Sequence, residues 1–212
     1  TAVTLFGPVS DGAAAFGILK SGDGLLTLAG DNSYDGATTV ASGGGLRVTH
    51  SNALGSTNGL TSVAAGGVLE ISSGASVPES LTLAADGTAG GAGNLRAIDG
   101  TNAWRGRVTL TGVSRLRALP GSSLTLAGGV SGSYNLYLSP DAEAEIAATG
   151  EPLNLGSTAS TRFLYAHGAG TVTLGAAGNT FGTLEIAGGA TVRIAAPVAL
   201  PAAGVLSIGP SS

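Results

Sequence analysis

The sequence predicts an all-β protein, a right-handed parallel β-helix (β-solenoid) of roughly nine or ten rungs. Three observations predict it: short runs that alternate apolar and polar residues, turn motifs that recur along the chain, and a composition rich in Gly and poor in aromatic residues. Of the 212 residues, 37 are Gly, 43% are hydrophobic and only 4% are aromatic. The chain must therefore bury a core made mainly of aliphatic and small side chains.

The strands are predicted from the period of the apolar residues. In each run, apolar positions alternate with polar ones, and turn residues bound the run, which is typical of half-buried strands. The runs recur roughly every ten residues, and this spacing alone leaves a sandwich, a barrel and a solenoid open. In chain order the runs are Leu25–Leu28, Leu46–Val48, Leu69–Ile71, Leu81–Leu83, Leu95–Ile98, Val108–Leu110, Leu116–Leu119, Leu124–Leu126, Leu136–Leu138, Leu153–Leu155, Val172–Leu174, Leu184–Ile186, Val192–Ile194 and Leu206–Ile208.

Two turn motifs recur along the chain and favour stacked coils over a single closed sheet. One is an Asn followed by an aromatic residue and a Gly, and we expect its three rings to occupy the same place in the coils that carry it. The other is a Gly-containing turn that leads into a strand, as at Gly43–Val48 and Gly188–Ile194. The first motif consists of Asn32, Tyr34 and Gly36, of Asn102, Trp104 and Gly106, and, one residue shorter, of Asn179, Phe181 and Gly182.

A parallel β-helix accounts for the unusual composition. Its narrow interior accepts stacked aliphatic side chains but few rings, and like residues on neighbouring rungs form ladders in which Asn side chains can pair. We expect a single β-helical unit over residues 1–212, right-handed by the general preference of parallel crossovers. The inward-pointing residues should include Leu69, Ile71, Leu81, Leu83, Leu124, Leu126, Val172, Leu174, Val192 and Ile194.

The segment around the first Asn motif resembles a known family. The run Leu25–Val40, followed by Gly45–Val48 and Asn52–Ser56, is similar to the passenger-associated transport repeat (the autotransporter-associated β-strand repeat) of bacterial autotransporters. The stretch Gly168–Ile194 resembles a second copy, in which the spacing from the aromatic residue to Gly is contracted.

This resemblance implies an autotransporter passenger domain at the bacterial cell surface. It places repeat-like segments near residues 20–56 and 166–195, with spacer coils between them. In that family the repeats imply a right-handed parallel β-helix that is exported by a C-terminal outer-membrane β-barrel, which lies outside this chain. The chain opens at Thr1 without Met or a basic leader, and we therefore interpret it as a piece of a longer exported protein.

Charge and hydropathy argue against two classes of partner. The formal net charge is -4, and nucleic-acid binding needs a basic surface, so no nucleic-acid partner is expected. No run of about 18 apolar residues occurs, and we expect no membrane contact by this segment.

The chain has no Cys, so it can form neither a disulfide nor a thiolate metal site. No cofactor is expected.

Residues suited to catalysis are few, and we expect no enzymatic activity. His50 and His167 are the only imidazoles and lie in no metal-binding pattern. The nucleophile strings of the serine-protease and esterase passengers are absent. On a strand, Asp141, Glu143 and Glu145 would share one face. We interpret these three carboxylates as a solvated face, with a calcium site or a catalytic pair as alternatives.

The basic residues concentrate in one segment, here named the arginine belt, which contains Arg96, Arg105, Arg107, Arg115 and Arg117. Because Arg96 and Arg117 are about one rung apart, they could stack on one face. With Trp104 as a sugar-stacking platform, the belt would bind an anionic polysaccharide or lipopolysaccharide on a host or neighbouring cell. Alternatively, these arginines pair with carboxylates of neighbouring rungs, and Trp104 fills the aromatic position of its motif.

The sequence therefore predicts a structural role, a rigid and non-catalytic stalk segment of a surface-exposed passenger. A second interpretation is an adhesin module that binds glycan or a cell surface with the same helix. A third is a polysaccharide-active enzyme, since parallel β-helices also carry lyases and hydrolases. An exposed binding face would favour the second interpretation, and a groove lined with carboxylates would favour the third.

Overall fold

The computed structural model describes residues 1–85, 92–156, 162–199 and 205–209. Over these ranges the chain forms 25 strands and no helix. The strands build three sheets, of ten, nine and six strands, in which every pair of neighbours is parallel. The predicted all-β parallel β-solenoid is confirmed, while its right hand stays a prediction.

The three sheets take their strands in turn from the chain. The ten-stranded sheet contains β1 (Ala2–Leu5), β3 (Leu25–Leu28), β5 (Gly45–Val48), β7 (Val68–Ile71), β10 (Leu95–Ala97), β13 (Ser114–Ala118), β16 (Leu136–Pro140), β19 (Phe163–His167), β22 (Thr183–Ala187) and β25 (Val205–Ile208). The nine-stranded sheet contains β2 (Ile18–Lys20), β4 (Thr38–Val40), β6 (Thr61–Val63), β9 (Leu81–Leu83), β12 (Val108–Leu110), β15 (Val130–Ser131), β18 (Leu153–Asn154), β21 (Asn179–Thr180) and β24 (Val198–Ala199). The six-stranded sheet contains β8 (Ser76–Val77), β11 (Thr101–Trp104), β14 (Ser123–Leu126), β17 (Glu145–Ala148), β20 (Thr171–Leu174) and β23 (Thr191–Ile194).

Each coil runs from the ten-stranded sheet to the nine-stranded sheet, and from β7 onward it passes through the six-stranded sheet on the way. The ten strands of the largest sheet correspond to about nine turns, or about 43 Å of solenoid axis at the spacing of paired strands. Coil length varies, because Leu46 pairs with Leu69 whereas Leu136 pairs with the more distant Leu164.

Alternate residues of the strands form the core. On β9 and β12 the first and third residues are buried and the middle residue is half-buried, because successive side chains of a strand point to opposite faces. The inner faces of all three sheets meet in one apolar cluster. Eight of the predicted inward-pointing residues are buried, namely Leu69, Ile71, Leu81, Leu83, Leu124, Leu126, Val172 and Leu174.

The other two predicted core residues are not fully buried. Val192 is only partly buried and Ile194 is 58% exposed. Both belong to β23, which lies at the end of the six-stranded sheet and pairs only with β20. Their inward direction agrees with the prediction, since they are the register partners of the buried Val172 and Leu174. They stay partly exposed because in the described part of the chain no further strand of that sheet stacks on β23.

The two ends of the solenoid expose apolar side chains. Phe6 and Phe16 are 80% and 64% exposed near the first coil, and Ile208 is 73% exposed on β25. Among the described residues, β1 and β25 are the end strands of the ten-stranded sheet, and no further strand covers these side chains. Within the described ranges, no helix has the length and apolarity needed to cross a membrane.

Glycines stand where successive coils touch at one corner. A Cβ on Gly59 would lie 2.5 Å from the carbonyl oxygen of Gly36, and one on Gly128 would lie 2.2 Å from that of Gly106. The closest approach is at Gly106, where a Cβ would lie 1.9 Å from the carbonyl oxygen of Glu79. Only a residue without a side chain allows the coils to stack at these points.

Candidate ligand-binding face

The arginine belt does not form one patch. Arg96, Arg115 and Arg117 lie on the outer face of the ten-stranded sheet, where Arg96 and Arg117 are register partners. Arg105 and Arg107 are exposed at the corner between β11 and β12, which belong to the other two sheets. Because one coil turns through three faces, residues that are close in sequence point in different directions.

Carboxylates of neighbouring coils bind most of the arginines on this face. Glu70 accepts from two of them, with Oε2 2.7 Å from Arg47 Nη2 and Oε1 3.0 Å from Arg96 Nη2. Arg117 donates from Nη2 to both carboxylate oxygens of Asp141, at 2.9 and 3.1 Å. These pairs join coils along the axis, as the alternative interpretation of the belt expects.

Trp104 is not a sugar platform. Its side chain is fully buried in the apolar cluster, because it lies on β11 in register with two inward-pointing residues, Val77 and Leu126. A buried ring offers no face to a ligand, so the prediction that Trp104 stacks on a sugar is wrong. Trp104 instead fills the aromatic position of its motif, in the interior of the solenoid.

The rings on the outer side of this face belong to other residues, here named the aromatic row: Tyr137, Phe163, Tyr165 and His167. The rings of Tyr137 and Tyr165 stack with centroids 4.2 Å apart and planes 6° apart. Phe163 stacks on Tyr165 at 5.2 Å, and His167 meets both tyrosines edge to face. All four side chains are half-buried. Sequence reasoning missed this row, although the alternation Phe-Leu-Tyr-Ala-His on β19 places three rings on one face.

The tyrosines of the aromatic row cover one another. Tyr137 and Tyr165 are register partners on β16 and β19, so their rings stack along the solenoid axis. The Arg115 guanidinium lies 4.5 Å from the centroid of the Tyr137 ring, a cation–π distance. Because neighbours occupy the ring faces, the row presents mainly ring edges to solvent.

The surroundings of Tyr165 and His167 affect their protonation and hydrogen bonding. Burial and, secondly, the neighbouring Tyr137 raise the pKa of Tyr165 to about 12, so its phenol stays protonated at neutral pH. His167 Nε2 lies 3.0 Å from Glu185 Oε1 on β22. The other histidine, His50, is not part of this row. It follows β5, and its Nδ1 lies 4.0 Å from Asp31 Oδ1.

The three clustered carboxylates do not share a strand face. Asp141 follows β16 and binds Arg117, whereas Glu145 lies on β17 and accepts from Thr173 Oγ1 at 2.6 Å. Glu143 is exposed between them with a φ of 62°. The one-face expectation is wrong because a turn separates the two strands. No group of three or more metal-ligating side chains occurs among the residues that the structure describes.

The Asn residues of the repeated motif bind backbone in neighbouring coils. Each side-chain oxygen accepts from an N–H of the preceding coil: Asn32 from Val9 at 2.7 Å, Asn102 from Gly74 at 3.1 Å, and Asn179 from Leu153 at 2.8 Å. All three Asn are buried. The Asn side chains thus join coils through the backbone, and not by pairing with one another.

The three motif copies do not occupy one place in the coil. Tyr34 and Trp104 precede β4 and β12 of the nine-stranded sheet, whereas Phe181 precedes β22 of the ten-stranded sheet. The expected common position therefore holds for two copies only. The rings agree in burial, since Tyr34, Trp104 and Phe181 are at most 1% exposed.

The first motif lies within β2 to β5, where its Asn and Tyr side chains hold the turn between the ten- and nine-stranded sheets. A family model described as passenger-associated-transport-repeat matches this stretch. Residues 18–48 match that repeat. No curated protein and no solved structure matches the chain. The resemblance of residues 166–195 to a second repeat stays a prediction.

The match to the transport repeat runs from β2 to β5 near the N-terminal end of the solenoid, which is more than one coil and less than two. Its strands β2 and β4 pair with each other, as do β3 and β5. A transport repeat within a parallel β-solenoid fits an autotransporter passenger domain, and the repeat family implies a secreted or surface-displayed protein.

A buried carboxylate lies just before β9, outside the residues that match the transport repeat. Glu79 is 2% exposed, and its Oε2 accepts from Thr61 Oγ1 at 3.1 Å. Oε1 has no hydrogen-bond partner among the described residues. Burial raises the pKa of Glu79 to about 7, and the Thr61 bond only partly offsets it. Tyr34 is also buried, and its hydroxyl oxygen lies 2.7 Å from Thr38 Oγ1, with which it shares a hydrogen bond.

Glu79 should make stability depend on pH. Its pKa is about 7 when folded against 4.5 for the unconstrained group, so its stabilising effect is complete below pH 4.5 and is lost as pH rises to about 7. Between pH 4 and pH 8, the unfolding free energy of wild type should fall by about 2 to 3 kcal/mol more than that of Glu79→Gln. Urea unfolding at both pH values measures this difference.

Glu143→Gln is the matched control, because Glu143 is exposed. Its stability should follow that of wild type across the same pH range. An equal pH response of the Glu79 and Glu143 variants would show that Glu79 is already ionised in the folded chain.

Proposed function

We propose that this segment is a rigid, non-catalytic stalk of an exported passenger, which holds another part of the protein away from the cell surface. One observation carries the proposal: a single apolar interior continues from coil to coil, from Leu28 on β3 to Leu184 on β22. A continuous interior resists bending, since tilting one coil against the next would open gaps between stacked side chains.

The outward side chains support the same role. The Arg and Glu side chains and the stacked tyrosines make contacts from one coil to the next. On the outer face of the nine-stranded sheet, one column of register partners runs from β4 to β21, and none of its described residues is charged. Its members are Thr39, Ser62, Thr82, Thr109, Ser131, Asn154 and Thr180.

Two neighbouring residues of β9 test the stalk. Thr82 is half-buried on the outside and Leu83 is fully buried. In the full-length protein on cells, Thr82→Asp should keep the segment resistant to protease, with a stability change within about 1 kcal/mol. Leu83→Asp should make it protease-sensitive, because it buries an unpaired charge. Target binding by the cells should survive Thr82→Asp if the segment only spaces its cargo, and a loss of binding by this folded variant would contradict a stalk.

Glycan binding is a second candidate function. It is favoured by the presence of Arg96, Arg115 and Arg117 on one face beside the aromatic row. The triple variant Arg96→Ala, Arg115→Ala, Arg117→Ala should then lose retention on a heparin column. Arg105→Ala with Arg107→Ala, which changes the other corner, is the control. Equal retention of wild type and the triple variant would exclude this face as the binding site.

A further inference from the structure

Tyr137 and Tyr165 bring two phenol rings of successive coils into contact on the outside of the solenoid. Their Cα atoms are register partners, the ring centroids lie 4.2 Å apart and the planes differ by 6°. Stacking places equivalent carbons of the two rings next to each other, including the positions ortho to the hydroxyl groups. These are the carbons at which tyrosyl radicals couple.

The other two tyrosines lack such a neighbour among the described residues. Tyr34 is buried and shares its hydroxyl hydrogen with Thr38, and Tyr134 is 41% exposed before β16 with no ring contact in that part of the chain. Tyr137 and Tyr165 are both half-buried, so a small oxidant can reach them while Phe163 and Arg115 hold their rings in place.

We propose that Tyr137 and Tyr165 are an oxidative cross-linking site, at which a peroxide-driven one-electron oxidant joins the two rings through a dityrosine bond. Each phenol loses one electron and its hydroxyl proton to give a tyrosyl radical. The two radicals form one carbon–carbon bond between ortho carbons, and the hydrogen of each ortho carbon then moves to its phenolic oxygen. Two electrons and two protons leave in total, and they reduce one hydrogen peroxide to two waters.

The bond would tie the coil that begins at β16 to the coil that begins at β19. The chain has no Cys, so a disulfide cannot supply such a link. A covalent link between distant residues restricts the unfolded chain and so favours the folded state. On an exported protein, oxidants from outside the cell would thus strengthen the solenoid at its C-terminal half.

The experiment uses the purified chain at low micromolar concentration, with illuminated ruthenium tris-bipyridine and persulfate as the one-electron oxidant. We expect dityrosine fluorescence in the monomer band and a cross-linked peptide pair containing Tyr137 and Tyr165, lighter by two hydrogens. The urea midpoint of the cross-linked monomer should lie higher than that of the untreated chain, because the link restricts the unfolded state.

Conservative variants make the result specific. Tyr137→Phe and Tyr165→Phe keep the stacked rings but remove the phenol, so each should abolish the intramolecular product. Tyr134→Phe should leave its yield unchanged. The proposal is overturned if the monomer carries no Tyr137–Tyr165 peptide after oxidation, if the product persists in Tyr165→Phe, or if coupling runs through Tyr134 into dimers instead.

Discussion

Gly106→Ala is expected to destabilise the chain by at least about 3 kcal/mol. A Cβ at this position would lie 1.9 Å from the carbonyl oxygen of Glu79 and 2.3 Å from its carbonyl carbon. Both are backbone atoms of the preceding coil, so relief requires a shift of paired strands and not a side-chain rotation. Urea unfolding followed by far-ultraviolet circular dichroism measures the loss.

Gly121→Ala separates the packing effect from backbone strain. Gly121 has a φ of 73°, but a Cβ there would meet no atom within 4 Å. This substitution should cost only about 1 kcal/mol, from the left-handed backbone alone. Equal costs at Gly106 and Gly121 would mean that coil-to-coil contact at Gly106 does not set its requirement for Gly.

Trp104→Ala is the second large effect, with an expected cost of about 3 to 5 kcal/mol. Trp104 heads the fully buried side chains ranked by volume, and Ala would leave a cavity between Val77 and Leu126, its partners in the two adjacent coils. Its indole N–H has no acceptor among the described residues, so the cost reflects packing and not a lost hydrogen bond. Thermal and urea unfolding both report it.

Trp104→Leu is the matched variant, because Leu126 fills the same column in the next coil. It should cost less than Trp104→Ala, since Leu leaves a smaller cavity. A surface role for Trp104 predicts a different pattern, in which Trp104→Ala unfolds like wild type and only ligand binding changes.

The strands could be predicted from sequence because alternation fixes which residues point inward. Leu81 and Leu83 flank Thr82, and the structure buries the two leucines and turns the threonine outward. Such local patterns need no knowledge of coil length. The same rule predicted the inward direction of Val192 and Ile194, but it could not predict their exposure, which depends on what stacks above β23.

Surface groupings could not be predicted in the same way, because they depend on the register between coils. Tyr137 and Tyr165 each occupy the middle of a buried pair, so their outward direction was readable. Their contact requires a coil that is longer than the one between Leu95 and Leu116. The arginine belt shows the converse, since Arg105 and Arg115 are close in sequence but lie on different sides of a coil.

The sequence identified the Asn residues of the motif as structural, but it predicted the wrong hydrogen-bond partners for them. Sequence ladders suggest that Asn stacks on Asn, but the copies are several coils apart and the third precedes another sheet. Each Asn instead satisfies a backbone N–H of the coil before it, as Asn179 does for Leu153. Buried backbone groups that a varying coil leaves unpaired need such a side chain.

Duplication of two complete coils tests the stalk most directly. Leu26 pairs with Leu46 and Leu46 with Leu69, so residues 26–68 form two coils that can be repeated in register. The account predicts a folded chain whose maximum dimension in small-angle X-ray scattering is about 10 Å longer. Repeating residues 26–57, which end within a coil, should instead lower stability. An unchanged length after the in-register duplication, or equal tolerance of both insertions, would contradict a solenoid stalk.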